Sequence, residues 1–209
     1  MEQKRNYQKE LEKIIEANQK NHKIPTLLLH GCCAPCSSYC LWYLSGFFKI
    51  TLFYYNPNIF PESEYDYRVR EVKRLLENLP VKHPVTLVEG AYEPERFFSM
   101  AKGMEELPEG QERCFQCYEL RLREAAEYAS RENFDYFTTT LSISPHKNAQ
   151  KLNEIGEKLE KEYGIHHLPS DFKKKGGYLK SIEFSREYEL YRQNFCGCVY
   201  SKKAAEKNM

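Results

Sequence analysis

The chain is organised around one stretch, His30-Gly31-Cys32-Cys33-Ala34-Pro35-Cys36, which holds three of the eight cysteines. It directly follows the apolar residues 26–29, which are typical of a buried strand. Gly31 and Pro35 interrupt regular structure, and residues 37–44 are predicted to form the next helix. We therefore expect the thiols in a strand-to-helix turn, where the helix dipole favours thiolates. Thiolates in such a place bind soft metals or carry out redox chemistry.

Strand patterns and helix patterns alternate along the chain. The predicted strands cover residues 26–29, 50–55, 85–88, 134–140 and 165–168. The predicted helices cover residues 6–18, 37–44, 62–76, 93–101, 114–132, 149–163 and 182–194. This alternation predicts an α/β fold, with a doubly wound, mostly parallel, five-stranded sheet of the Rossmann type and an extra C-terminal helical segment.

Composition and length limit the class of protein. The 209 residues suit a single α/β domain, in which residues 1–25 form a helical extension and residues 171–209 a basic segment. No apolar run approaches the roughly 20 residues that span a bilayer, and the first residues lack the apolar core of a signal peptide. We therefore expect a cytoplasmic protein with no membrane partner. Thiols stay reduced there, so eight cysteines indicate metal ligands or redox groups rather than structural disulfides.

Polar side chains and thiols follow three of the predicted strands. Cys32 and Cys33 come after the first strand, Asn56 and Asn58 after the second, and Thr139 ends the fourth. Ligands of doubly wound sheets bind outside the carboxyl ends of the strands, at the point where strand order reverses. The sequence therefore predicts that these side chains converge on one binding site.

Two cysteine patterns suit a four-thiolate metal site. They are Cys32-Cys33-x-x-Cys36 and Cys114-x-x-Cys117, and each is predicted to lie at a helix start. Zinc and iron–sulfur clusters both accept four cysteines, and spacing alone would use Cys33 with Cys36. A zinc ion that only braces the fold stays an alternative, although such a site needs only four of the eight cysteines. Cys40 fits a buried apolar position.

A third pattern, Cys196-Gly197-Cys198, places two thiols on either side of a glycine. Cysteines two residues apart close only a small, strained ring, and strained disulfides are easily reduced. The pattern therefore predicts a dithiol that stores two electrons. Two further metal ligands, or exposed thiols without a role, remain alternatives.

Three polar segments are candidates for binding a substrate. Residues 56–68 join a rigid turn to carboxylates and tyrosines, and residues 138–148 supply hydroxyls and a lysine that suit phosphate or sugar. Residues 171–178 place three lysines beside glycines and aromatic rings, which suits a phosphate backbone with stacked bases. The alternative for the first segment is an ordinary loop. For the second it is a helix cap formed by Ser144 with Pro145, and for the third it is a solvated surface.

Together these stretches closely resemble the cobalamin-independent epoxyqueuosine reductases of the QueH type, over about residues 26–201. The resemblance is carried by residues 30–36, 55–59, 64–65, 113–118, 138–148, 171–174 and 190–198. It implies the last step of queuosine synthesis, in which the epoxide of epoxyqueuosine at the anticodon wobble position of a tRNA is reduced to the alkene. It also implies a fold similar to the adenine nucleotide alpha hydrolase-like HUP domain. The Ser-Gly-Gly-x-Asp-Ser phosphate loop of related adenylating enzymes is missing, which argues against ATP use.

The resemblance assigns roles to particular cysteines. The ligands of a [4Fe-4S] cluster would be Cys32, Cys33, Cys114 and Cys117, and the redox-active pair would be Cys196 and Cys198. An additional iron ion is compatible with Cys36 and a carboxylate. A zinc-braced nucleic-acid-binding module and a thiol–disulfide oxidoreductase are the competing functions.

The other expected site residues bind the tRNA or move protons. Candidate proton donors are Tyr65, Asp66, Asp171 and His30. Candidate substrate-binding residues are Asn56, Asn58, Arg68, Thr139, Lys147, Lys173, Lys174 and Arg192. His30 suits a packed core position equally well. A monomer is compatible with the sequence, which does not identify the electron donor.

Overall fold

A five-stranded parallel sheet forms the centre of the protein in a computed structural model that describes residues 5–207. The strands are β1 (Thr26–His30), β2 (Lys49–Tyr54), β3 (Thr86–Glu89), β4 (Tyr136–Thr139) and β5 (His166–His167). The helices are α1 (Tyr7–Lys20), α2 (Ala34–Leu44), α3 (Glu62–Asn78), α4 (Pro94–Ala101), α5 (Glu112–Arg131), α6 (Ala149–Tyr163), α7 (Gly177–Glu187) and α8 (Val199–Lys207). Residues 1–4 of the predicted extension and 208–209 of the predicted basic segment lie outside the described residues.

Strand order confirms the predicted doubly wound fold. The order is β3-β2-β1-β4-β5, and every neighbouring pair is parallel, so the sheet is fully rather than mostly parallel. The chain moves outward from β1 in one direction through β2 and β3, then returns to the other side of β1 for β4. The reversal therefore lies between β1 and β4, where ligands of this fold class bind.

Helices cover both faces of the sheet and form two apolar cores. In β1 the side chains alternate, so that Leu27 and Leu29 join the core with α1, α2 and α3, and Leu28 joins the core with α5 and α6. All three leucines are fully buried, and each such side chain stabilises the fold by about 1.5–3 kcal/mol. Helix α1 contributes buried Leu11 and Ile15, so the predicted extension is part of the core where it is described.

The turn after β1 is tighter than predicted. A Cβ atom on Gly31 would lie 2.8 Å from Leu52 Cδ1, so any side chain at this position would force the buried Leu52 side chain to shift. Helix α2 then begins at Ala34, three residues earlier than predicted, with Pro35 in its first turn. Proline is tolerated there because the first N–H groups of a helix have no helical partner. Cys36 therefore lies in the first helical turn.

The C-terminal helices and one helix cap differ from the sequence-based expectations. The C-terminal helix predicted over residues 182–194 is α7, which begins at Gly177 and ends at Glu187, and residues 199–207 form a further helix, α8, that was not predicted. Ser144 and Pro145 do not cap α6, because the Asn148 side chain accepts from the backbone N–H of Lys151 instead.

Within the described part of the chain, no helix is both long and apolar enough to cross a membrane.

Candidate metal and redox site

A cavity of about 300 Å³ opens at the carboxyl ends of β1 and β2. Nine of the predicted site residues line it: Cys32, Cys33, Cys36, Asn56, Asn58, Arg68, Lys147, Arg192 and Cys196. The loops after β1, β2 and β4, the first turn of α2, helix α3 and the segment between α7 and α8 supply them. The convergence predicted from the strand ends is thus present for most of these residues.

A second, smaller cavity of about 20 Å³ adjoins the first. It is lined by Cys114 and Cys117 from α5 and by Cys198. The residues that line both cavities are Asn58, Glu109, Arg121, Lys147 and Cys196. The two cavities are therefore parts of one site, around which seven of the eight cysteines lie. The eighth, Cys40, is fully buried in the apolar core, as predicted.

The first thiol group consists of Cys32, Cys33 and Cys36, whose sulfur atoms all lie within 4.8 Å of one another. Their position at the start of α2 favours negative charge. Hydrogen bonds with Cys32 and Cys36 and the nearby charge of Arg68 lower the pKa of Cys33 despite burial. Hydrogen bonding to Cys33 raises the pKa of Cys32 to about 12, and hydrogen bonds to Cys32 and Cys33, together with burial, raise the pKa of Cys36. Three clustered thiols that cannot all ionise alone are suited to a cation that stabilises the thiolates.

The second thiol group comes from α5 and the C-terminal segment. Burial raises the pKa of Cys117 to about 12, and it raises the pKa of Cys198 as well. Cys114 accepts from the backbone N–H of Gly110 at 3.3 Å, and Cys198 accepts from that of Ser201 at 3.4 Å. All eight cysteines lie within the described residues, and all are free thiols.

Arg121 links the two groups. Its guanidinium is almost fully buried and donates to the backbone oxygen of Cys117 at 3.1 Å and to Asn56 Oδ1 at 3.4 Å. Burial would lower its pKa, but Cys117, Cys196 and Cys32 together raise it above its ordinary value. Its Nη2 atom has no partner among the described residues. A buried guanidinium with a free donor beside thiols from three segments is suited to a negatively charged ligand.

Arg68 holds the C-terminal thiols in place. It is 2% exposed, pairs with Glu64 at 2.7 Å, and donates to the backbone oxygen of Cys196 at 3.1 Å. Gly197 has a φ of 120° and accepts from the backbone N–H of Phe60 at 3.0 Å. The segment between the two cysteines is therefore tied to the loop after β2 and to α3.

The asparagines after β2 divide between structure and ligand binding. Asn56 is fully used, since its Nδ2 donates to the Gly31 carbonyl at 2.8 Å and its Oδ1 accepts from Arg121. Asn58 is also buried, but its Oδ1 has no partner among the described residues, although it lines both cavities. Asn58 is therefore the asparagine that is free to bind a ligand.

The side chains of His30 and Thr139 form hydrogen bonds with each other and with the backbone of the core. His30 is fully buried, and its Nε2 donates to the Tyr55 carbonyl at 3.0 Å while its Nδ1 accepts from the Thr139 hydroxyl at 2.9 Å. Burial and the charge of Arg121 lower the pKa of His30 to about 3, so it is neutral and carries no spare proton at pH 7. The Thr139 hydroxyl also accepts from the Leu141 N–H. Of the alternatives for His30, the packed core position is the one found.

Besides His30 and Thr139, five predicted residues lie away from the cavity walls. Tyr65 is buried in α3 and packs against Tyr92, and Asp66 is exposed. Asp171 pairs with Lys173 at 2.8 Å in the loop after β5, and Lys174 is exposed. Their roles in proton transfer and tRNA binding stay predictions.

Two of the residues that line both cavities, Glu109 and Arg121, were not predicted. Glu109 lies in the loop before α5, where sequence alone offers no distinguishing pattern. Arg121 follows Cys117 by four residues, which places both on one face of α5, so helical spacing could have identified it.

The fold and the site define the class: this is a doubly wound α/β protein with a thiol-rich centre, in which a group of three cysteines could bind a metal. The family model of epoxyqueuosine reductase QueH matches residues 27–204. The chain belongs to this family.

Several relatives carry the same name. The chain is 41% identical to the epoxyqueuosine reductase QueH of Streptococcus pyogenes over 96% of this chain and 80% of the relative. It is 43% identical to that of Staphylococcus epidermidis, over 95% and 85%, and 34% identical to that of Thermotoga maritima, over 84% and 90%.

Proposed function

We propose that this enzyme reduces the epoxide of epoxyqueuosine in tRNA to the alkene, giving queuosine in the last step of that synthesis. The main support for this proposal is that seven cysteines surround one site at the strand ends, in a chain that belongs to the epoxyqueuosine reductases. Removing the epoxide oxygen as water consumes two electrons and two protons. Reduced thiols, alone or with bound iron, are the groups at this site that can supply electrons.

The proposed cofactor is a [4Fe-4S] cluster held by Cys32, Cys33, Cys114 and Cys117. The donor set has the chemistry of such a site, because a cluster takes four thiolates and hydrogen bonds to its sulfurs set its potential. Among the described residues, the sulfurs of Cys32 and Cys33 lie within 4.8 Å of Cys36, whereas Cys114 and Cys117 line the adjoining cavity. The unpartnered Nη2 of Arg121, next to thiols of both groups, is the kind of donor such an anionic group requires. When bound, the cluster supplies electrons one at a time. Cys36 would remain for an additional iron ion.

The two-electron store in this proposal is the pair Cys196 and Cys198. Oxidation of two thiols to a disulfide releases two electrons and two protons, which balances the loss of the epoxide oxygen as water. Cys196 lines the main cavity, and Cys198 lies behind it in the smaller one. An electron donor from outside the chain must then reduce the disulfide, directly or through the cluster.

Cationic and polar residues of the cavity would hold the RNA. Arg192, Tyr178 and His146 line the cavity, and Asn58 offers a free acceptor inside it. Lys173 and Lys174 lie in the loop after β5 and are proposed to contact anticodon-loop phosphates. A tRNA-modifying enzyme of this kind is expected in the cytoplasm.

The test is turnover of tRNA that carries epoxyqueuosine, measured under anaerobic conditions by mass spectrometry of the released nucleosides. Wild type should form queuosine, and Cys196→Ser should lose turnover while it keeps its iron. Cys40→Ser is the matched control, because Cys40 lies in the core and should leave turnover intact. Full turnover by Cys196→Ser would remove the dithiol from the reaction. A colourless zinc protein without turnover would favour the nucleic-acid-binding module, and reduction of protein disulfides without iron would favour the thiol–disulfide oxidoreductase.

A further inference from the structure

Lys147 is a buried ammonium next to a thiol. It follows the turn after β4 and is 8% exposed. Its Nζ lies 2.8 Å from Glu109 Oε1 and 3.2 Å from Cys196 Sγ. Burial would lower the pKa of Lys147, but Cys196, Tyr118 and Glu109 raise it above its ordinary value, so the group stays charged. A buried ammonium is stable only with such partners.

This contact makes the two thiols of the C-terminal pair unequal. Cys196 faces the main cavity, receives a hydrogen bond from the Lys147 ammonium, and has its backbone oxygen held by Arg68. Cys198 is more deeply buried, and its polar contacts are with the neutral Ser201. Burial raises the pKa of Cys198. The two sulfurs therefore differ in their surroundings, because Cys196 contacts a cation and Cys198 contacts the neutral groups of Ser201.

Lys147 is poorly placed for its predicted role of binding phosphate or sugar. Its side chain is 7% exposed, compared with 27% for Lys173, and two of its three hydrogens already have acceptors. An RNA phosphate at the cavity mouth would have to displace Glu109 or Cys196 to reach it. The thiol is thus the partner that the structure provides.

We propose that Lys147 is a positioning residue that stabilises the thiolate of Cys196 and thereby makes Cys196 the sulfur that reacts first. This rests on the proposed function of the dithiol. Cys198 is the second sulfur of the disulfide. When the S–S bond forms, the two thiols together lose two electrons and two protons, and the epoxide takes these up as its oxygen leaves as water. Glu109 holds the ammonium from the solvent side, so that it points into the cavity.

The experiment measures how fast each cysteine of the full-length, anaerobically purified and reduced protein reacts with iodoacetamide at pH 7. In this reaction the thiolate sulfur bonds to carbon and iodide leaves, and peptide mass spectrometry assigns the modified residue. Wild type should react faster at Cys196 than at Cys198. Lys147→Met should slow the reaction at Cys196 by roughly tenfold, the size expected for loss of one charge-assisted hydrogen bond. Lys147→Arg should restore most of the rate, since it restores the charge.

Lys151→Met is the matched control, because Lys151 pairs with exposed Glu154 and should leave the rate at Cys196 unchanged. An unchanged rate in Lys147→Met, or no rescue by Lys147→Arg, would overturn the proposal. If Lys147→Met does not fold, the alkylation rate at Cys196 in Glu109→Gln tests the proposal instead. This substitution removes the carboxylate that competes with Cys196 for the Lys147 ammonium, so alkylation at Cys196 should be faster than in wild type. An equal or slower rate would contradict the proposal. Alkylation does not depend on tRNA, so loss of the proposed function would leave this result standing.

Discussion

Substitution of Gly197 by alanine tests whether the geometry of the Cys196–Cys198 segment matters for the reaction. Gly197 has a φ of 120°, and a Cβ there would lie 2.9 Å from Ile59 Cγ1 and 3.1 Å from Arg68 Nη1. Arg68 cannot move away freely, because it is buried and paired with Glu64. The alanine must therefore shift the segment.

The size of the effect follows from the backbone conformation. A residue with a side chain costs about 1–3 kcal/mol at such a φ, which lowers the population of the native segment by roughly 5- to 150-fold. Since this conformation holds Cys196 next to Lys147, we expect the single-turnover rate on tRNA carrying epoxyqueuosine to fall by a similar factor. Iron content should stay at the wild-type level, because neither Cys196 nor Cys198 is a proposed ligand.

Gly164→Ala is the matched control. Gly164 also has a positive φ, of 67°, at the end of α6, but no atom lies within 4 Å of its added Cβ. Both variants should lower the melting temperature by a few degrees, and only Gly197→Ala should slow the reaction. A wild-type rate in Gly197→Ala would refute the idea that the observed segment conformation is the reactive one.

Three further predictions concern the core. Cys40→Ala should cost about 1 kcal/mol of unfolding free energy in guanidinium chloride without loss of iron, and iron loss would make Cys40 a ligand. Burial lowers the pKa of both His30 and His167 to about 3, so below pH 6.5 the unfolded chain binds more protons. As the pH falls below 6.5, the unfolding free energy should therefore decrease by about 1.4 kcal/mol per pH unit for each histidine. Urea unfolding curves that give equal stability at pH 7 and pH 5 would contradict this. Gly156→Ala should cost about 1–3 kcal/mol, because its Cβ would meet the His167 ring, and an unchanged urea midpoint would refute that contact.

The architecture was predictable because it depends on local patterns. Apolar runs and amphipathic stretches alternate strongly enough to locate all five strands and most helices. Helix α6 was predicted to the residue, whereas β5 is only His166–His167, shorter than the predicted strand over residues 165–168. Local patterns failed over residues 188–198, where Arg74 and Glu71 of α3 fix the chain through contacts far apart in sequence.

The site was predictable in its residue types but not in its pairings. Strand ends located Cys32, Asn58 and the hydroxyls, because ends of parallel strands meet at one edge. Nothing in the sequence tells that the Thr139 hydroxyl is used by His30, or that Lys147 contacts Cys196, since both contacts join distant segments. Such pairings depend on packing of the whole fold.

The most direct test of the central claim is the iron and sulfide content of the anaerobically reconstituted protein, compared with that of Cys117→Ser. We expect about four irons and four sulfides per wild-type chain, with a broad visible absorption band. Cys117→Ser should lose most of both, because it removes one proposed ligand. A colourless wild-type protein that still reduces epoxyqueuosine in tRNA, or a cluster that Cys117→Ser leaves untouched, would contradict the account.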